Sequence, residues 1–281
     1  MVEPKMSRAI DVMHLGNDRV ICAYEVDGLI VDPGPSSSVE TLIDALGPVV
    51  PKALLLTHIH LDHAGATGVL CRRYPDLKVY VHELGAPHLV DPSKLLKSAG
   101  RLYGDDMWEL WGEVAPVPEE RITSLKGGET VEGFRVAYTP GHASHHVSYL
   151  HEETHDAYVG DVAGVRIPPY PYVIAPTPPP DIDVEAWLDS LHTIACWNAQ
   201  SLGLTHFGQV TAVADHLHRI RTALVQSAER AHMKDEETFI AHMEEDILDA
   251  SDAATVEAFE QAAPPNQLYM GLERYWRKKA E

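Results

Sequence analysis

Four apolar residues, Ala53-Leu54-Leu55-Leu56, run without a break into Thr57-His58-Ile59-His60-Leu61-Asp62-His63-Ala64-Gly65, and no other feature constrains the chain as much. A short continuous apolar run marks a strand buried on both faces, which belongs to a sheet covered by helices. Its end delivers four potential metal ligands within six residues. In extended backbone alternate side chains point the same way, so His58 and His60 can hold one metal together. Asp62 and His63 follow where the loop turns, within reach of a second metal. Nitrogen and oxygen donors with a position left for water are what catalytic zinc-type sites use.

Strand and helix signals alternate around this junction. Val20 to Val31 reads as two strands joined at a tight Asp27-Gly28 turn. Asp32-Pro33-Gly34-Pro35 breaks the chain. Ser36 to Ser38 offer caps for a short helix in which Val39, Leu42, Ile43 and Leu46 share a face. The loop from Thr57 to Gly65 leads into a helix to about Arg73, then a strand from Lys78 to Val81. The stretch from Gly85 to Glu120, with Tyr103, Trp108 and Trp111, reads as helices and loops laid over one edge. A second strand-rich block covers 131–138, 147–150 and 157–159. Seven prolines in 168–180 require an extended loop. Asp183 then caps a helix with Val184, Trp187, Leu188, Leu191 and Ala195 on one face. After the strand-like Ser201 to Thr205 the pattern is helical throughout, with stripes Val213-Leu217-Ile220-Leu224 and Phe239-Ile240-Met243-Ile247. The expectation is an α/β catalytic unit over 1–208 and a helical extension over 209–281, packed on it as a pocket wall or a homodimer contact.

Charge narrows the function. The chain carries 42 Asp and Glu against 22 Lys and Arg, a net −20 that repels phosphate backbones and argues against a nucleic-acid partner. No run is long and apolar enough to span a membrane. Residues 1–16 lack the basic start and apolar run of an export signal. Cys22, Cys71 and Cys196 form no CxxC pair and read as reduced, buried thiols, so cytoplasm is the expected location. Seventeen histidines are many for 281 residues, and histidine is the commonest metal ligand.

Three further candidates stand at strand ends: His142 in Thr139-Pro140-Gly141-His142, Asp161 in Tyr158-Val159-Gly160-Asp161, and His206 in Leu204-Thr205-His206-Phe207-Gly208. Singly, each has a bland account as a cap or a hydrogen-bonded core histidine. Together they are loops converging where α/β enzymes keep their sites. The HxHxDHxG string, the TPGH, the GD after a strand and the late LTHFG resemble the metallo-β-lactamase superfamily, over about residues 10 to 208. The resemblance implies an αββα sandwich with the site at one edge. It implies a first metal on His58, His60 and His142 and a second on Asp62, His63 and His206, with Asp161 bridging. Two divalent ions are expected, zinc first, with iron or manganese as options.

The chemistry implied is hydrolysis: the two cations share and acidify a water, and the resulting hydroxide attacks a polarised carbonyl. Asp62 is the candidate to orient that water and carry a proton to the leaving group. Asp32, His145 and His146 are candidates to hold the outer faces of the ligand histidines. Others, including His151, His155, His216, His218, His232 and His242, read as solvent-facing. Tyr170 and Tyr172, in the proline-rich loop, are candidates for the substrate pocket. Arg274, Arg277, Lys278 and Lys279 form a basic cluster that a helix C-terminus would favour in any case. True β-lactamases are exported and commonly carry cysteine where Asp161 stands. Flavodiiron enzymes need a second domain that 281 residues do not accommodate. The expected substrate is therefore a small-molecule ester, thioester or lactone, cleaved by an enzyme similar to glyoxalase II or to lactonases. The alternative is a mononuclear-iron persulfide dioxygenase. A closed structural metal module fits poorly, since such sites are rarely dinuclear with a bridging carboxylate.

Overall fold

The computed structural model describes residues 7–281; of the stretch 1–16 that bears on export, residues 1–6 lie outside the described residues. Two six-stranded sheets form the centre. The first has the order β1 (Arg8–Asp11), β2 (Cys22–Val26), β3 (Leu29–Val31), β4 (Ala53–Leu55), β5 (Lys78–His82) and β6 (Ile122–Leu125). Its first three strands are antiparallel and β3 to β6 run parallel. Asp27 and Gly28 both have positive φ, as a two-residue hairpin with right-handed twist requires. Between these strands lie α1 (Val39–Leu46), α2 (Leu61–Ala64), α3 (Thr67–Arg73), α4 (Ala86–Val90), α5 (Ser93–Tyr103) and α6 (Met107–Trp111).

The second sheet comprises β7 (Thr130–Val131), β8 (Phe134–Tyr138), β9 (Val147–His151), β10 (Asp156–Tyr158), β11 (Ser201–Leu204) and β12 (Gly208–Val210), in the order β12-β11-β10-β9-β8-β7. Helix α7 (Val184–Cys196) precedes β11. The chain closes with α8 (Val213–Met233), α9 (Glu236–Ala250), α10 (Ala253–Ala262) and α11 (Pro265–Ala280).

Strand periodicity explains the layering. Tyr24, Val31 and Leu55 point inward to meet Phe134, Val147, Tyr149 and Tyr158 of the other sheet. Their neighbours Ala23, Ile30 and Leu54 belong to the outer cluster, which the helices cover. Both faces of β4 are therefore dry, as its apolar run predicts. This is the αββα sandwich, with the C-terminal helices packed through Ile220, Leu224, Phe239, Met243 and Leu272. No described helix is long and apolar enough to cross a membrane.

Several local expectations are corrected. Ser36 and Ser37 cap nothing: their hydroxyls donate to Gly65 O at 3.1 Å and Leu110 O at 2.6 Å, tying neighbouring segments together. The histidine loop ends at His60, because Leu61 to Ala64 is already helical. The span 131–138 is two strands, since Glu132 and Gly133 take positive φ and reverse the chain. The region after 208 is not helical at once: a tight reversal after Leu204 pairs β12 back onto β11, a strand too short to show a period. On α7, whose cap Asp183 accepts from Ala186 N as expected, Ile194 replaces Ala195 on the buried face, and Leu188 is only half-buried. Val213 and Ile240 are also half-buried beside their stripes. Cys196 is exposed, whereas Cys22 and Cys71 are buried. His151 and His216 are buried too, each engaged by a nearby oxygen, Thr154 Oγ1 at 3.0 Å and Ala163 O at 2.8 Å.

Candidate metal centre

Each of the seven candidates is brought to one edge by the end of a strand. His58 and His60 leave β4 in extended chain, and Asp62 and His63 sit on the single turn of α2. His142 follows β8 through Gly141, where a side chain would collide with the backbone of Trp187, at a φ of 130° that only glycine takes easily. Asp161 lies in a 3-10 turn after β10. Gly160 before it keeps Thr57 and His146 close, for a Cβ there would lie 2.5 Å from Thr57 Oγ1. His206 stands in the reversal between β11 and β12.

The donor atoms fall into two clusters, each with its atoms within 4.8 Å of one another: His58, His60 and His142, and Asp62, His63, Asp161 and His206. In the first, His60 Nδ1 lies 2.9 Å from His58 Nε2 and 3.0 Å from His142 Nε2. In the second, His206 Nε2 lies 3.2 Å from Asp62 Oδ2, and His63 Nε2 lies 3.2 Å from Asp161 Oδ1. The Asp161 carboxylate faces both: Oδ2 is 3.3 Å from His142 Nε2 while Oδ1 faces His63 and, at 3.6 Å, His206.

The outer ring nitrogens are held so that the inner ones keep their lone pairs. His142 Nδ1 donates to Pro176 O at 2.8 Å and His206 Nδ1 to Val20 O at 2.6 Å. His63 Nδ1 donates to Asp32 Oδ2 at 2.8 Å. His58 Nδ1 donates to Thr57 Oγ1 at 3.1 Å, and that hydroxyl donates to Asp32 Oδ2 at 2.6 Å. Thr57 N and the Thr205 hydroxyl complete the shell of Asp32. Fixing the tautomer through the second nitrogen is how proteins orient ligand histidines.

Electrostatics separates the clusters. Burial, then the neighbouring rings, holds His58 far below the usual imidazole range and pushes His60 down to about 4. Burial also lowers His142. Burial opposes the charge on His63 as well, but Asp161, Asp62 and Asp32 overrule it and raise His63 well above its ordinary value. Burial would likewise raise Asp62 and Asp161, yet the adjacent histidines, His63 foremost, hold both below the carboxylate range. His63 Nε2 and Asp161 Oδ1 are buried without a well-aligned hydrogen-bond partner. Orphaned buried polar atoms are costly and need a partner. The neutral imidazoles of His58, His60 and His142 fit a divalent cation in the first cluster. In the second, the carboxylates that raise His63 and His206 would favour a cation in place of those protons, and the orphaned His63 Nε2 and Asp161 Oδ1 lie where it would sit.

The outlying candidates divide. Asp32 is 1% exposed and sits behind His63 as expected. His145 and His146 make no hydrogen bond to a ligand ring; both stack on His58, with centroids 6.1 and 5.1 Å away. Tyr170 and Tyr172 do not line the cavity above the centre. The loop turns them away, so that Tyr170 meets Asp252 and Tyr172 packs edge-on against Phe259. That cavity, about 1000 Å³, takes Tyr103 instead, with its hydroxyl 3.5 Å from Gln267 Oε1, together with His14 and Trp111. The aromatic content of 85–120 was the sequence signal for Tyr103 and Trp111; the sequence offered none for His14. Of the basic cluster, Arg274 reaches the cavity; Arg277 and Lys279 pair with Glu273 and Glu185, and Lys278 donates to Pro180 O.

Comparison with known proteins agrees with this geometry. Residues 20–195 match the family model of the metallo-beta-lactamase superfamily. The chain is 29% identical over 212 residues to the metallo-beta-lactamase fold-containing protein ST1585 of Sulfurisphaera tokodaii, covering 72% of this chain and 77% of that one. The crystal structure of ST1585 superposes with a TM-score of 0.70 at 24% identity, over 95% of this chain and 98% of the other. TTHA1623, solved in a di-iron-bound form, gives a TM-score of 0.54 at 23% identity, over 79% and 97%. Hydroxyacylglutathione hydrolase of Yersinia pestis is 40% identical over 79 residues, only 27% of this chain and 31% of that enzyme.

Proposed function

The chain belongs to the metallo-beta-lactamase superfamily of metal-binding hydrolases, and on that premise we propose that it is a dinuclear enzyme cleaving an ester, thioester or lactone of a small molecule. The observation that carries this reading is Asp161, whose two carboxylate oxygens face different clusters. His58, His60 and His142 would hold one ion, Asp62, His63 and His206 the other, and Asp161 both. Ions so held acidify water and polarise a carbonyl oxygen. Zinc, iron and manganese all suit these donors, and the di-iron form of TTHA1623 supports two-ion occupancy.

The chain's own contribution is positional. Asp62 is the site carboxylate open to the cavity, with a side chain 22% exposed against 4% for Asp161. It can accept a proton from the attacking water on its carboxylate and return it to the leaving oxygen or sulfur. His206 Nε2, 3.2 Å from Oδ2, would share the second ion with that carboxylate and so set the way it turns. A substrate seated in the cavity would displace water from around these groups, which would strengthen each of these interactions. The partial likeness to hydroxyacylglutathione hydrolases supports thioesters within the class. A metal on the Asp62, His63 and His206 set would separate hydrolysis from the mononuclear-iron persulfide dioxygenase, in which residues like Asp62 and His63 hold none.

The test is an assay of metal-loaded protein against thioesters, lactones and carboxylic esters, with oxygen consumption followed in parallel on a persulfide. Hydrolysis of at least one class without oxygen uptake is expected. Oxygen uptake with one iron per chain would overturn the reading.

A further inference from the structure

Helix α5, Ser-Lys-Leu-Leu-Lys-Ser-Ala-Gly-Arg-Leu-Tyr, is strongly amphipathic, yet none of its eleven residues is fully buried. Amphipathic helices normally sink their apolar stripe into a core. Here Leu95, Ala99, Leu102 and Tyr103 line the cavity over the metal centre, and the helix packs chiefly on its chain neighbours α4 and α6 and the turn before α6. Much of its apolar face thus meets space instead of protein. The facing walls are apolar as well: Ile59, Leu84, Leu268 and Met270 line the same cavity. Leu84 and Met270 are 50% and 42% exposed, large aliphatics left uncovered at one place. Charge selects nothing comparable. Lys94, Arg101 and Arg274 reach the cavity, but so do Asp106 and Asp181, and neither sign dominates the wall away from the metal ligands.

We propose that this cavity is an acyl chamber: the substrate carries an aliphatic acyl chain, and α5 is the cover that lies along it. The proposal rests on the hydrolase reading for the bond cleaved, and on the cavity walls alone for the chain bound. A short polar acyl group would leave most of an apolar space of about 1000 Å³ in contact with water. An aliphatic chain removes that surface, and every methylene buried adds to binding.

The test uses metal-loaded full-length protein and acyl thioesters of N-acetylcysteamine, from acetyl to decanoyl. The value of kcat/KM is expected to rise about two- to fourfold per added methylene. Leu95→Asn and Leu102→Asn should each lower the decanoyl-to-acetyl ratio about tenfold. Equal rates along the series, or a ratio untouched by both substitutions, would overturn the chamber while leaving hydrolysis intact. Displacement of a fluorescent fatty acid by decanoate needs no turnover and separates the two ideas. Displacement that weakens in both variants, with no thioester, lactone or carboxylic ester cleaved, would uphold the chamber and reject the hydrolase. No displacement by decanoate would reject the chamber.

Discussion

Asp32 carries more of the centre than its distance from the substrate suggests. Its carboxylate accepts from Thr57 N, the Thr57 hydroxyl, His63 Nδ1 and the Thr205 hydroxyl, and through Thr57 it also orients His58. One anion thus sets a ring in each cluster. Asp32→Asn would present an amide N–H to groups that already donate, and it removes the charge facing His63. Affinity for divalent ions should fall about ten- to a hundredfold, read by competition with a chromogenic chelator; unchanged affinity would remove Asp32 from the account. The sequence made Asp32 legible as a neighbour of the site, and His58 to His63 legible as ligands, because spacing alone fixes them. Thr57 and Thr205 were not legible, because a hydroxyl's role depends on which carboxylate the fold sets beside it. Tyr170 and Tyr172 misled for the same reason: the direction taken by a proline-rich loop is a property of its packing.

At the level of elements, hydrophobic patterning revealed the buried strands and the amphipathic helices, whereas β12 and the break between β7 and β8 follow from reversals two or three residues long. Helix α8 shows how the extension is joined to the site. His216 on α8 donates to Ala163 O at 2.8 Å, in the turn that carries Asp161. Burial pushes this imidazole down to about 4, against a small upward pull from the carbonyl. The unfolded chain therefore takes up a proton between pH 6.5 and 4 that the folded chain refuses, so this contribution to stability is lost as pH falls through that window. Between about pH 7 and about pH 5 the loss comes to about 2 kcal/mol. In His216→Gln, urea unfolding should show a decline over that interval smaller by this amount. A decline equal to that of the parent would contradict it.

The whole molecule is a scaffold that gathers strand ends from two sheets and roofs them with segments remote in sequence. His14 illustrates this: one ring nitrogen reaches Leu110 O at 2.8 Å, the other lies 3.0 Å from Gln261 Nε2, and the ring stacks on Trp111. Such a roof is invisible to periodicity, since its parts share no pattern and meet only when the sandwich has formed. The metal centre was legible because superfamily order and local spacing pointed to the same seven residues. The hydrolase reading depends on those residues binding two ions. The most direct test is the metal content of full-length protein stripped with chelator, reloaded with zinc and desalted. Two ions per chain are expected in the parent and one in His206→Ala. A parent that holds a single ion, or a variant that still holds two, would contradict that expectation.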